Sequence, residues 1–255
     1  MGRITETVKH LIIVNFIVWI ASMTMVKYIA IDDLFALHFP LNPSFKPWQV
    51  FSHMFMHSRD FIPHIFANML ALYMFGSPLE QMWGRNKFLF FYFSAGLGAV
   101  LLPFAIDYFQ YDSIMDVLNS NGFVRNEIIT DLLNLKEGEY WPDWVKYIGL
   151  EDGVKLRQIV LQQGVGASGC TMGLLVAFGM AFPNTKLMLL FLPVPIKAKY
   201  FIPLVLAYEL ISGISGGTSV FGVNIAHFAH VGGALTGFII MWYWKKNQFN
   251  KNRWN

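Results

Sequence analysis

The sequence predicts an all-α membrane protein built from six transmembrane helices. Of its 255 residues, 55% are hydrophobic and only 14% are charged. The mean hydropathy is +0.44, and this balance is too apolar for a soluble domain of this length. Apolar windows free of Asp, Glu, Lys and Arg also recur along the chain. A window of roughly 20 such residues is long enough to cross a bilayer, so we expect lipid around most of the chain.

Four of these windows predict one membrane span each. The first is too long for a cleavable signal peptide and is followed by no small-residue cleavage pattern, so we expect it to be retained as helix one. The predicted spans, which define helices one to four, are His10–Val26, Phe61–Leu79, Phe88–Ile106 and Gln158–Thr185.

A fifth apolar window, Leu210–Trp244, is too long for one span. Its glycines predict a loop near Gly213–Val223, because glycine is a strong breaker of regular structure. Helix five therefore extends from about Tyr200 to this loop and carries Glu209, and helix six extends from Asn224 to Lys245. The apolar stretch Leu187–Ile196 is too short to span and contains prolines, so we expect it at the membrane interface.

Charge placement predicts the orientation of these helices. If the N-terminus is cytoplasmic, the inner segments are rich in Lys and Arg and the outer segments contain more acidic than basic residues. The positive-inside rule expects this asymmetry, so both termini are predicted to be cytoplasmic, in a bacterial inner membrane. Residues 107–157 then form a large external insertion between helices three and four. The whole chain, 1–255, is predicted to be a single membrane domain.

A glycine-rich stretch that begins at Gly164 contains Ser168 and allows several interpretations. It fits the GxGxxG pattern of dinucleotide-binding folds, but no acidic residue follows within twenty positions, as that fold requires. It fails the GxSxG pattern of hydrolases, since Gly169 directly follows Ser168. Taken alone, the motif is most simply a surface of small residues for helix packing.

Other polar residues favour a catalytic interpretation of Ser168. On the predicted topology, His64 and Asn68 of helix two, Ser168 of helix four and His230 of helix six lie at one depth near the outer surface. His64 and Asn68 are four residues apart and share a helix face. Polar side chains are costly inside a bilayer and usually mark a functional site. A serine nucleophile requires a base and oxyanion donors, which this set could supply.

At these residues the chain resembles the rhomboid family of intramembrane serine proteases. The resemblance implies that Ser168 is the nucleophile and His230 the general base, and that His64, Asn68 and the Ser168 backbone N–H form the oxyanion hole. It implies no cofactor, and transmembrane proteins as substrates. The motifs that carry it are Gly166-Ala167-Ser168-Gly169, Ala229-His230 followed by Gly233 and Gly237, and the pair His64 and Asn68.

Small residues also predict how the catalytic pair meets. Gly169 and Gly173 of helix four, and Gly233 and Gly237 of helix six, form small-xxx-small surfaces. If these surfaces pack together, they bring Ser168 and His230 within hydrogen-bonding reach.

Two positions depart from the family pattern. Gln49 follows Trp48 where the family usually has arginine, so a guanidinium that anchors the first external loop is absent, which bears on the rigidity of that loop and not on the chemistry. Met172 stands four residues after Ser168, where the family usually has an aromatic ring against the catalytic histidine. We therefore expect His230 to be held less firmly.

The remaining polar residues favour structural roles. His53 with His57, and His227 with His230, have the spacing of metal ligands, but the sequence completes neither set, so no metal site is predicted. Glu209 is expected to be a paired or hydrated carboxylate rather than a proton relay, with no partner identifiable from sequence.

Three function classes are compared. The first is a serine endopeptidase that cleaves transmembrane segments. The second is a non-catalytic rhomboid-like protein that binds transmembrane clients, and such relatives typically lack the serine or histidine present here. A transporter would require internal repeats or ion ligands at the midplane. The expected partners are lipid and transmembrane proteins and not nucleic acid, and the sequence specifies no oligomeric state.

Overall fold

The computed structural model of the chain describes residues 3–136, 139–189, 192–215, 219–220, 223–224 and 226–251, and it is mainly helical. Much of the predicted loop Gly213–Val223, and the last residues of the basic tail, lie outside the described residues. The described helices are α1 (Glu6–Met25), α2 (Ile31–Phe35), α3 (Gln49–Ser52), α4 (Pro63–Ala71), α5 (Ser77–Trp83), α6 (Arg85–Ser120), α7 (Arg125–Asn134), α8 (Val145–Leu161), α9 (Ser168–Ala181), α10 (Ala198–Ile214) and α11 (His227–Lys251).

Short strands complete the described fold. They pair in antiparallel fashion, β1 with β2, β3 with β4 and β5 with β6. The strands are β1 (Leu37–His38), β2 (Gln163–Gly164), β3 (Lys186–Leu189), β4 (Leu192–Lys197), β5 (Ser219–Val220) and β6 (Val223–Asn224). The described residues of the stretch predicted to lie at the interface, Leu187–Ile196, belong to β3 and β4.

Helices occur at each predicted span, with different bounds. Predicted helix two is α4 and α5, joined without a break by a π-helical turn at Leu72–Gly76. By length and apolar composition, two helices among the described residues are able to cross a membrane, α1 and α6. Helix α9 is apolar but shorter, with 14 residues.

The predicted fourth span, Gln158–Thr185, is wrong at its N-terminal end. Helix α8 ends at Leu161, strand β2 follows, and α9 begins at Ser168. Gly166 has φ = +124°, a conformation that residues with a side chain rarely adopt, so the chain cannot remain helical there. Hydropathy does not detect this break, because the intervening residues are uncharged.

The main core surrounds α9 and includes side chains of α1, α4, α5, α6, α10 and α11. The backbones of α9 and α11 approach each other closely at one edge of it. A Cβ built on Gly233 of α11 would lie 2.1 Å from the carbonyl oxygen of Gly169 in α9. One built on Gly237 would lie 2.7 Å from the Gly173 Cα, so the two helix backbones are too close for side chains at these positions. Backbones can approach this closely only where side chains are absent. The contact fixes the start of α9 against the first turns of α11.

The described residues of 107–157 form a helical unit around a second core, to which Phe39 and Val160 also contribute. Helix α6 continues well past the predicted end of its span at Ile106, and its last turns pack against α7 and α8. Asp131 accepts a 2.9 Å hydrogen bond from the Trp144 indole. The buried side chains of this second core include Phe39, Tyr111, Ile114, Met115, Leu118, Ile128, Leu132, Trp144, Leu156 and Val160.

The carboxylate of Glu80 fixes the start of α1. It accepts hydrogen bonds of 3.1 Å from the backbone N–H groups of both Thr7 and Val8, and one from the Thr5 hydroxyl. These N–H groups have no partner within the helix, and the positive end of the helix dipole favours a carboxylate. The bonds join the start of α1 to the end of α5.

Candidate active site

Ser168 is the first residue of α9 and is half-buried. The first N–H groups of a helix have no acceptor within it, so the backbone at Ser168 can donate to an anion. Thr171 donates its hydroxyl to the Ser168 carbonyl oxygen at 3.0 Å, which fixes the first turn. The preceding turn is held as well, since the Gly166 N–H donates to the His53 carbonyl oxygen at 3.0 Å.

His64 points toward the same turn. A Cβ built on Gly166 would lie 2.9 Å from His64 Nε2 and 3.7 Å from Ser168 Oγ, so Gly166 leaves the space between them open. The Ser58 N–H donates to His64 Nδ1 at 3.3 Å. Because Nδ1 is an acceptor, the neutral ring carries its proton on Nε2. His64 can therefore direct an N–H toward the space beside the serine.

Asn68 lies one turn farther along α4 and is buried. Its amide donates to the His64 carbonyl oxygen at 2.9 Å. An amide nitrogen has two N–H groups, so one is used within the helix and the second can serve a substrate.

His230 lies in the first turn of α11, and its side chain is only 15% exposed. The turn that carries it contacts the start of α9, since a Cβ on Gly169 would lie 3.6 Å from the carbonyl oxygen of Ala229. His64 is within electrostatic range of His230. The fold thus brings the pair His64 and Asn68, Ser168 and His230, which come from three separate helices, into one region.

Glu209 is a buried carboxylate whose partners the sequence did not indicate. Its carboxylate oxygen Oε2 lies 2.7 Å from His227 Nδ1 and 3.0 Å from His230 Nδ1. The expectation that Glu209 is paired holds, and its partners are the two histidines of α11. Their spacing of three residues, which places both on one helix face, was the available signal. Met172 is partly buried against the main core, and its effect on His230 stays a prediction.

The first loop is anchored despite the loss of the expected arginine. Gln49 is fully buried, and its amide donates to the carbonyl oxygens of Asp33 at 2.8 Å and Ser44 at 2.9 Å. Its Oε1 accepts from the His38 N–H at 3.3 Å. In place of the absent guanidinium, one neutral amide joins three parts of the loop.

His53 and His57 belong to this first loop. Burial lowers the pKa of His53 to about 4. Burial, and then the nearby charge of His64, lower the pKa of His57 to about 4 as well. Both are neutral at pH 7. Within the part of the chain that the structure describes, no group of three or more His, Cys, Asp or Glu side chains is arranged to hold a metal ion.

A cavity of about 830 Å³ opens beside Ser168. Part of its wall comes from the active-site region, and part comes from α6 and α8 of the helical unit at residues 107–157. Its polar lining includes Ser168, His53, Asp107, Arg157, Gln158 and Gln162. The serine is therefore accessible from a partly polar space that the additional helices enclose.

The sequence is similar to known proteins. The family model described as Rhomboid domain matches residues 44–122 and 147–247. The residues that it skips, 123–146, lie in the helical unit. The chain is also 26% identical over 206 residues to the rhomboid protease AarA of Providencia stuartii, a match that covers 76% of this chain and 54% of that protein. The chain thus spans about half the length of that curated relative.

Proposed function

Because this chain belongs to the rhomboid family, an integral membrane family, we propose that it is an intramembrane serine endopeptidase that cleaves transmembrane segments of other proteins. Helices α1, α4 with α5, α6, α9, α10 and α11 are the six membrane spans, and both termini are cytoplasmic in a bacterial inner membrane. The observation that carries the proposal is the convergence of Ser168, His64 and the His230 turn at the start of α9.

The chain's own residues account for each step of the reaction. The Ser168 hydroxyl gives its proton to His230 as its oxygen attacks the scissile carbonyl carbon. Charge then develops on the carbonyl oxygen, where the Ser168 N–H, His64 Nε2–H and the second N–H of Asn68 can donate to it. His230 next gives the proton to the leaving amine, and a water molecule hydrolyses the ester by the same route.

The cavity supports the same proposal. Hydrolysis requires water, which hydrocarbon excludes, so the site must be reached from outside the lipid. The cavity beside Ser168 has a partly polar lining and can supply that water. It can also receive the polypeptide next to the scissile bond, once a transmembrane substrate has partly unwound.

The contribution of the oxyanion donors to catalysis can be measured. Removing one such donor typically costs about 2.7–4 kcal/mol of transition-state stabilisation, or roughly a hundredfold or more in kcat. Asn68→Ala and His64→Ala should therefore each lower kcat with a smaller change in KM. If kcat is unchanged in both, these residues have no part in the reaction.

Labelling by a fluorophosphonate distinguishes this function from that of a non-catalytic client-binding protein. The purified full chain in detergent should be labelled on Ser168, since an activated serine attacks phosphorus and expels fluoride. Ser168→Ala and His230→Ala should abolish labelling while the melting temperature stays near that of the wild type. A folded wild-type protein that is not labelled would favour the client-binding alternative.

A further inference from the structure

Helix α10 brings a carboxylate to the base of the proposed catalytic site. Glu209 is 8% exposed, and its Oε2 lies 3.0 Å from Nδ1 of His230. The same oxygen accepts a 2.7 Å hydrogen bond from His227 Nδ1, and the His227 side chain is 2% exposed. A buried carboxylate is costly unless it is paired, and the two imidazoles offset that cost.

The contact is made at the ring nitrogen that matters for tautomer choice. A carboxylate beside Nδ1 favours the proton on Nδ1, which leaves the Nε2 lone pair free to accept the serine proton. His230 Nδ1 is buried and makes no well-aligned hydrogen bond among the described residues. A small rotation of the ring would align it with Glu209, and catalytic hydrogen bonds often tighten only when substrate binds.

We propose that Glu209 is a positioning residue that orients His230 and stabilises its charged form, so that the site works as Ser168, His230 and Glu209. This rests on the proposed protease function. When Ser168 Oγ loses its proton to His230 Nε2, the imidazolium gains a positive charge 3.0 Å from the carboxylate. The proton then passes to the leaving amine. Glu209 stays ionised throughout and exchanges no proton.

The competing explanation is structural. Through His227 alone, Glu209 could serve only to hold α10 against α11. Both explanations predict lower stability when the carboxylate is lost, so stability cannot separate them. Only the positioning role predicts a loss of kcat and of serine reactivity in the folded fraction, together with a defined His230 tautomer.

The test compares Glu209→Gln with the matched control Glu80→Gln, since Glu80 is also a buried carboxylate that joins two helices. The protein concentration used to calculate kcat and the labelling rate is corrected for the folded fraction of each variant. Glu209→Gln should lower kcat at least tenfold with KM within twofold, and should slow fluorophosphonate labelling in parallel. Glu80→Gln should lower the melting temperature with little effect on kcat. A wild-type kcat and labelling rate in folded Glu209→Gln would overturn the proposal.

A second measurement needs no Glu209 variant. ¹⁵N NMR of the wild-type imidazoles, with His230 assigned by comparison with His230→Gln, should show a neutral ring protonated on Nδ1. Protonation on Nε2 would overturn the positioning role even if Glu209→Gln fails to fold. The outcomes separate the two proposals: a wild-type protein unlabelled on Ser168 rejects the protease function, and normal labelling with the wrong tautomer rejects only the role of Glu209.

Discussion

At the scale of single residues, Gln49 shows how a neutral side chain can anchor a loop. Its amide joins Asp33, Ser44 and His38 while fully buried. Substitution would leave the buried His38 N–H without this acceptor, and the carbonyl oxygens of Asp33 and Ser44 without this donor. An unpaired buried group costs about 1–3 kcal/mol, so Gln49→Ala should lower the free energy of unfolding by about that amount.

The control for this prediction is Gln81→Ala. Gln81 is exposed and donates one 3.3 Å hydrogen bond, to the Arg3 carbonyl oxygen. Its replacement should change stability by less than about 0.5 kcal/mol. The comparison is made by thermal unfolding in the same detergent, and equal shifts for the two variants would show that Gln49 is no anchor.

The buried histidines of the first loop predict a pH dependence of stability. The folded-state pKa of His53 is about 4 because burial disfavours its charged form, whereas the unfolded value is about 6.5. Below that value the unfolded chain binds more protons than the folded one. Stability is therefore full above about pH 6.5 and falls on acidification toward pH 4, by up to about 1.4 kcal/mol per pH unit for this histidine.

Melting temperatures measured from pH 7 to pH 5 test this dependence. The wild type should lose stability across the range, and His53→Gln should lose less because one of the titrating groups is gone. Identical slopes for the two proteins would contradict the assignment of His53.

The residue scale also shows what sequence could predict about the site. Ser168, His230, His64 and Asn68 could be singled out as candidates because their motifs have fixed spacing within helices. The pairing of Glu209 was not, because it depends on the rotation of α10 against α11. Neither spacing nor hydropathy specifies that rotation.

At the scale of elements, the crossing of α9 and α11 positions the site. A methyl group on Gly233 would lie 2.1 Å from the Gly169 carbonyl oxygen, which is backbone and cannot move independently of its helix. Gly233→Ala should therefore force the helices apart, destabilise the protein by about 1–3 kcal/mol and abolish labelling of Ser168.

Gly153→Ala is the matched control. A Cβ at Gly153 in α8 would lie 3.3 Å from its nearest neighbour, a methyl group of Val145, so small adjustments suffice. This variant should retain serine labelling. A Gly233→Ala protein with wild-type labelling would show that the close approach is not needed to assemble the site.

Helix boundaries mark the limits of prediction at this scale. Apolar windows located the helices, yet α6 extends to Ser120 and the predicted fourth span is divided before Ser168. Hydropathy reports the preference for lipid and not the hydrogen bonding that defines a helix. Hydropathy therefore does not detect the polar turns that continue α6. It also does not detect the break at the uncharged segment Gly164–Gly166.

At the scale of the whole molecule, the helical unit at residues 107–157 is the feature least defined by sequence. Its composition is polar and shows no motif, and its core forms only when α6, α7 and α8 meet. In the structure, Asp107 and Arg157 of this unit line the cavity beside Ser168. On the proposed function, this unit lies on the side of the membrane from which water enters the cavity.

The proposed topology places this unit outside the cell and both termini inside. In a Cys170→Ala background, which removes the buried native thiol, Ser120→Cys should react with an impermeant thiol reagent on intact cells, and Asn250→Cys should not. Cell lysis should expose Asn250→Cys and so controls for its reactivity. The opposite labelling pattern would invert the topology and move the cavity to the cytoplasmic side.

The central claim is that this chain cleaves transmembrane proteins with Ser168 as the nucleophile. The most direct measurement reconstitutes the purified full chain in liposomes with a single-span substrate that has a small residue at the cleavage point, and follows the products by mass spectrometry. We expect wild-type cleavage within or beside the membrane segment, and none with folded Ser168→Ala. Cleavage by Ser168→Ala at the wild-type rate would contradict the claim.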